Sequence, residues 1–274
     1  MTPVALTIAG LDPSGGAGVA ADLRAFGAAG AWGAAALSLL TVQTTDGLAS
    51  VHPIEPALVV AQARAVLDVE NVRAVKTGAL GSREIVSAVT ALLVEHPRLP
   101  LVVDPVMVAT RSPAGARLAD AAALDAQRAL IGRAWLVTPN LDEAEALLER
   151  RITTREAQRE AARELVRSLG ARAALVKGGH LEGPRSVDVL ATSSELFELS
   201  SPRRAGIALH GAGCTLAALI AGRMAKGAST VDAARWAKRR LTLAVGRAAR
   251  VGGRLHVVDP SLSGPLTAPR PRAS

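Results

Sequence analysis

A chain of 274 residues that is 49% hydrophobic, with a mean hydropathy of +0.27, can bury one sizeable core, and a single domain over residues 1–258 is expected. A lone cysteine, Cys214, excludes an intrachain disulfide and a Cys-based zinc site, and the five histidines are scattered without ligand spacing. The net charge of +8 favours anionic ligands, yet the seven Lys and Arg between Ala233 and Val258 have only Trp236 among them, which reads as a solvated helix face and not a nucleic-acid surface.

In chain order, short runs rich in Val, Ile and Leu recur at Val4–Ala9, Ala35–Val42, Val72–Lys76, Leu101–Asp104, Trp135–Thr138 and Ala173–Lys177. Segments with helical spacing separate most of them, among them Ala57–Val69, Glu84–Glu95 and Arg155–Leu169. Strands apolar on both faces, joined by helical crossovers, predict a doubly wound α/β domain with a mostly parallel central sheet and helices on both faces. The uncharged stretch Ala25–Ala36 is broken by Gly27, Gly30 and Gly33, so it predicts a helix end, a turn and a strand, not a membrane span. The first strand begins too early for a secretory signal, and a cytoplasmic location is expected. Ser186–Ala191 and Leu196–Leu199 flank Thr192-Ser193-Ser194 as a hairpin, and helices at Cys214–Ala225 and Val231–Arg250 close the domain. Residues 259–274 are read as a disordered tail.

In such a sheet ligands bind beyond the strand C-termini, so the residues following each run carry the functional reading. After the first run, Gly10-Leu11-Asp12-Pro13-Ser14-Gly15-Gly16-Ala17-Gly18 leads into a helix containing Asp22, and glycines at that density let a polar ligand approach the backbone. The string Gly16-Ala17-Gly18-Val19-Ala20-Ala21 fits a dinucleotide pattern, but Asp12-Pro13-Ser14 intervenes after the strand and the second strand ends in Gln43 where an acid is required. No Walker A string is present. The Gln43 amide suits the edge of a nitrogen heterocycle, or caps a turn. Asp104, Asn140 and Glu143 follow two apolar strands as oxygen donors of the kind Mg2+ prefers, while Asp104-Pro105 as a turn and Asn140 with Glu143 as a capping box compete. Lys177 leaves its strand into Gly178-Gly179, where it can set a point charge on a nucleotide phosphate. His180 reads as structural. Last, His210-Gly211-Ala212-Gly213-Cys214 opens a helix whose free N–H groups suit a phosphoryl group in transfer, and a thiol there is expected to be acidified, unless Cys214 is an ordinary buried Cys.

Taken together, these segments, with Ala21-Asp22-Leu23, Lys76-Thr77-Gly78, Val103-Asp104-Pro105-Val106-Met107 and Thr138-Pro139-Asn140, resemble the ribokinase-like kinases, and within them the hydroxymethylpyrimidine/phosphomethylpyrimidine kinases of thiamine biosynthesis. The resemblance implies ATP-dependent phosphorylation of 4-amino-5-hydroxymethyl-2-methylpyrimidine and then of its monophosphate, with Mg2+. It implies a pyrimidine pocket at Gly10, Asp22 and Gln43, and metal near Asp104 and Glu143. ATP phosphates are expected near Asn140, Lys177 and Gly179, and a transfer site at Gly211, Gly213 and Cys214. A homodimer is the family expectation. Departures from the family pattern are Ala212 for the usual Thr, Leu209 before His210-Gly211, Thr44 after Gln43, Ala79 for a frequent Met, and the loop Thr110-Arg111-Ser112-Pro113. Ala79 predicts a wider acceptor site. A pyridoxine or pyridoxal kinase on the same scaffold and a non-catalytic pyrimidine binder are the alternatives.

Overall fold

Val4–Leu11 (β1) is apolar at nearly every position and buried on both faces, which suits a strand inside a sheet covered from both sides. The computed structural model describes residues 1–107, 122–179, 181–204 and 206–261. The elements follow as α1 (Gly18–Ala29), β2 (Trp32–Thr44), β3 (Gly47–Pro53), α2 (Pro56–Val69), β4 (Val72–Thr77), α3 (Arg83–Val94) and β5 (Leu101–Val103). After them come α4 (Ala123–Ile131), β6 (Leu136–Val137), α5 (Leu141–Leu148), α6 (Arg155–Leu169), β7 (Ala173–Val176), β8 (Arg185–Thr192) and β9 (Leu196–Pro202). A short strand β10 (Leu209–His210), helices α7 (Ala212–Ala225) and α8 (Thr230–Gly246), and β11 (His256–Val257) end the described chain.

Nine strands form one sheet in the order β3-β2-β1-β4-β5-β6-β7-β8-β9. From β2 to β7 neighbours are parallel, and β3, β8 and β9 add antiparallel edges. The order runs outward from β1 in both directions, so the doubly wound architecture holds, and the hairpin at Thr192–Ser194 is the β8–β9 connection. The edge strand β3 was not legible in the apolar runs, because Leu48 is its one buried residue and it is held to β2 by backbone pairing. Between Ala25 and Ala36 the chain ends α1, turns at Gly30 and enters β2, as the glycine spacing predicts.

Alternate strand residues feed two cores. Leu6, Ile8, Val75, Val103, Val137 and Val176 face the layer of α2 to α6, while Ala5, Ala74, Val102, Leu136 and Leu175 face α1, α7 and α8. Each fully buried Leu, Val or Phe contributes roughly 1.5–3 kcal/mol. In the second layer α1 and α7 meet through small residues: a Cβ on Gly222 of α7 would come 2.7 Å from the Ala29 methyl of α1. That close approach seats α7 against the sheet, with residues 215–222 all buried and its N-terminus at the sheet's C-terminal edge.

Arg235, Arg239, Arg250 and Arg254 of the basic segment after Ala233 are exposed, as a solvated face requires, with one exception. Lys238 is buried and pairs with Asp188 of β8 at 2.7 Å, since an acid inside an apolar strand requires a counter-charge. Helix α8 also stops at Gly246, short of Arg250, because the chain returns as β11 to pair with β10. His180, the loop 110–113 and most of the expected tail lie outside the described residues.

Candidate active site

The C-terminal ends of β1, β2, β5 and β7 open into one cleft of about 760 Å³, with the start of α7 forming its floor and α8 one wall. Of the residues singled out from the sequence, Gly10, Gln43, Asp104, Asn140, Glu143, Lys177, Gly179, Gly211, Gly213 and Cys214 line this cleft. Asp22 does not. It is fully buried beneath the floor, where its Oδ2 accepts from Lys76 Nζ at 2.8 Å and from Thr7 Oγ1 at 2.7 Å. A carboxylate with no solvent holds its charge only against a counter-ion, and Lys76 is equally sealed.

Two backbone features make the cleft. The β1–β2 register shifts between Ala9 and Leu11, and a side chain on Gly10 would collide with Leu39, its Cβ 2.4 Å from Cδ1. Gly211, which caps α7, has φ +76°, and a Cβ there would sit 1.8 Å from the Gly16 carbonyl oxygen. The loop after β1 and the start of α7 therefore press backbone on backbone, leaving the first-turn N–H groups of α7 free of intrahelical acceptors.

Opposite that helix start, Lys177 Nζ donates to Asp104 Oδ1 at 2.8 Å and stands 3.9 Å from Glu143 Oε2. The same Asp104 oxygen accepts from Thr138 Oγ1 at 3.1 Å, while Asp104 Oδ2 is buried with no hydrogen-bond partner. Burial raises the Asp104 carboxyl, but Lys177 and Lys76 outweigh it and hold the group below the ordinary carboxylate range. Asn140 and Glu143 do form a capping box: Glu143 N–H donates to Asn140 Oδ1 at 2.8 Å and Asn140 N–H to Glu143 Oε2 at 2.7 Å. The box also aims the carboxylate at Lys177, so the cap and the site are one device. Burial pushes Glu143 up to about 7, with Lys177 opposing and Asp104 adding to the shift.

Cys214 departs from the acidic thiol expected at a helix start. Burial, reinforced by Asp104 and Asp22 and opposed by Lys76 and Lys177, pushes the thiol up to about 12. Half-buried at the cleft floor beside two carboxylates, the group favours the protonated S–H.

Sequence reasoning missed four residues. Lys76 closes a strand in Lys-Thr-Gly, and a Lys inside an apolar run was the available signal. Asp188 was readable in the same way, flanked by Val187 and Val189. Asp12 and His210 carried no separate signal, because a contact of 2.7 Å between residues 198 positions apart comes from the tertiary fold.

Among the described residues no group of three or more His, Cys, Asp or Glu gathers as a metal cluster. The orphaned Asp104 Oδ2 and the nearby Glu143 carboxylate still fit Mg2+, which is commonly held by one or two carboxylates with phosphate and water oxygens completing its shell. A parallel α/β cleft with a lysine beside a glycine-opened helix suits phosphoryl transfer, and the fold is that of the ribokinase-like kinases. Residues 12–259 match the phosphomethylpyrimidine kinase family, and the chain belongs to it.

The chain is 44% identical over 252 residues to the thiamine biosynthesis bifunctional protein ThiED of Geobacter sulfurreducens, covering 92% of this chain but spanning only 50% of that protein. It is 40% identical over 251 residues to the hydroxymethylpyrimidine/phosphomethylpyrimidine kinase of Rhizobium meliloti, covering 92% and 93% of the two chains. Among solved structures, Bacillus subtilis pyridoxal kinase in an ADP complex superposes with a TM-score of 0.86 at 31% identity, over 95% of this chain and 98% of that one. The phosphomethylpyrimidine kinase of Clostridium difficile gives 0.77 at 33% identity, over 89% and 100%.

Proposed function

We propose that the chain transfers the terminal phosphoryl group of ATP to the hydroxymethyl group of 4-amino-5-hydroxymethyl-2-methylpyrimidine, and then phosphorylates that monophosphate. The observation that carries the reading is the approach of Lys177 to the start of α7, where a Cβ on Gly213 would lie 3.1 Å from Nζ. A cation and a fan of unpaired N–H groups on one point suit the charge of a phosphoryl group in flight. Gly10 and Gln43 would border the acceptor, and Asn140, Lys177 and Gly179 the ATP phosphates. Asp104 and Glu143 would hold Mg2+, whose charge neutralises phosphate oxygens when bound. With its thiol kept neutral, Cys214 would align the acceptor hydroxyl rather than deprotonate it. Asp22, sealed against Lys76, would act from beneath by fixing the floor and not by touching the pyrimidine.

The close superposition on pyridoxal kinases supports a second reading, pyridoxal as acceptor, and the small Ala79 side chain in the cleft is compatible with it. Turnover with Mg-ATP, followed by mass spectrometry of the products, separates the readings. Mono- and diphosphate of the aminopyrimidine are expected. Phosphorylated pyridoxal alone would overturn the assignment, and ligand-induced thermal stabilisation without turnover would identify a non-catalytic binder.

Small molecules, not nucleic acid, are the proposed partners, since Trp236 is the only aromatic side chain among the seven Lys and Arg between Ala233 and Val258. Among the described residues no helix is long and apolar enough to cross a membrane, which is compatible with the proposed cytoplasmic location. Exposed Leu40 and Val42 on β2, beside the edge strand β3, support a homodimer, which light scattering would register as twice the chain mass.

A further inference from the structure

The loop between β7 and β8 enters the rim of the cleft at Gly178 and Gly179, and the two glycines have different reasons to be there. Gly178 N–H donates to Asp188 Oδ1 at 3.1 Å, and a Cβ on Gly178 would lie 2.0 Å from the Val187 carbonyl oxygen, so packing alone demands glycine. Gly179 lines the cleft, its backbone is outside the left-handed region, and a Cβ on it would meet nothing within 4 Å among the described residues. Neither packing nor backbone conformation requires glycine at 179, whereas the close approach of a ligand to the main chain does.

Beyond Gly179 the loop is held from outside itself, by one side chain that follows β9. Arg203, half-buried at the cleft, donates through Nη1 to the Gly179 carbonyl oxygen and through Nη2 to that of Leu181. Its Nε donates to the Gly183 carbonyl oxygen at 2.9 Å, and its own backbone N–H to that of Pro184 at 3.0 Å. The three partners of the side chain are uncharged, so the contact supplies geometry and not an ion pair. A guanidinium presents its donors in a rigid planar fork, and carbonyls that meet one fork are fixed relative to each other. A connecting segment without such a hold is ordinarily mobile.

We infer that Arg203 is a positioning residue for the nucleotide, its fork pre-ordering the loop at Gly179, Leu181 and Gly183 so that the open main chain of Gly179 stands ready at the ATP phosphates. The loop is then ordered before ATP arrives, and a site that need not be ordered on binding binds more tightly. Arg203 acts through the loop and touches no reacting atom. The inference rests on the proposed place of Gly179 beside ATP. It leaves the acceptor side alone, since Gly10 and Gln43 lie on β1 and β2, several strands away from β7 and β8 in the sheet.

The test measures kcat and KM for ATP and for the aminopyrimidine in the wild type, Arg203→Ala and Arg203→Lys, together with the Kd of a non-hydrolysable ATP analogue by calorimetry. Both variants are expected to raise KM for ATP and the analogue Kd about tenfold, the worth of one charge-assisted hydrogen bond, with kcat and the aminopyrimidine KM within about twofold of the wild type. Lysine keeps the charge but cannot span three acceptors, so it should fail alongside alanine. Nucleotide affinity restored by Arg203→Lys would show that charge suffices and overturn the inference, and so would equal losses toward both substrates. A wild type that does not bind the analogue overturns the reading of ATP binding itself; affinity unchanged in both variants overturns only the role of Arg203. Should neither variant fold, 15N relaxation at Arg203 Nε of the wild type decides. An ordered N–H without nucleotide, with a resonance that shifts when the analogue is added, is expected, and a freely moving or unresponsive one overturns the inference.

Discussion

Two of the buried lysine–aspartate pairs take their lysine from the end of a parallel strand, β4 or β7, each closed at 2.8 Å, and they differ in one respect. Lys76–Asp22 is sealed, with neither side chain exposed, whereas Lys177–Asp104 opens to the cleft, with Lys177 14% exposed. The sealed pair has no competitor for its partners. The open pair can exchange, since an entering phosphate can take Lys177 and a divalent cation can take Asp104. Equal distances therefore conceal different surroundings: the first lies beneath the floor, and the second is, on the proposed function, the part of the site that would change on binding.

The largest effect that would break this comparison is on stability. Lys76→Met strands a buried carboxylate and should cost about 3–5 kcal/mol in denaturant unfolding, with most of it recovered by adding Asp22→Asn. A cost no greater than that of Lys177→Met would mean the two pairs are alike. Next comes catalysis. Lys177→Met should lower kcat by roughly 10²–10³, a loss of about 3–4 kcal/mol of transition-state stabilisation. Its unfolding free energy should change less than that of Lys76→Met.

The thiol between the pairs gives the third expectation. At about 12 it should react with iodoacetamide at pH 8 roughly a hundredfold more slowly than a free cysteine, and its rate should climb with pH without a plateau below pH 10. A plateau near neutrality would show an acidic thiolate. Because the folded value lies above the unfolded one, the linked stability is complete below about pH 9 and is lost as the pH rises toward 12, and Cys214→Ala should remove that alkaline slope. The smallest effect belongs to the cap. Asn140→Ala should cost about 1 kcal/mol in unfolding free energy and also weaken Mg2+ dependence, since it releases the Glu143 carboxylate from its aim at the cleft.

How far the sequence was legible follows the same division. Strands apolar on both faces, such as Leu101–Val103 and Ala173–Val176, declare a covered parallel sheet, and Arg155–Leu169 has the bounds its periodicity predicts. The residues just past those strands could be read because topology brings strand ends together. The edge strand β3 was hidden, since its pairing uses backbone groups that no side-chain pattern reports. The fate of Asp22 was equally unreadable, because its distance from the cleft depends on how deeply α1 packs against α7. For Cys214, motif position predicted the helix terminus but not the burial and the neighbouring Asp104 and Asp22 that raise the thiol. His210 looked like one residue of a loop; only the fold puts Asp12 and Gln43 on its ring.

A crystal structure with Mg2+ and a non-hydrolysable ATP analogue tests the contrast between the pairs most directly. The account predicts that Lys177 leaves Asp104 for the terminal phosphate, that this phosphate meets the N–H groups of Gly211–Cys214, and that Lys76 stays on Asp22. Phosphates bound away from the start of α7, with Lys177 still on Asp104, would contradict it.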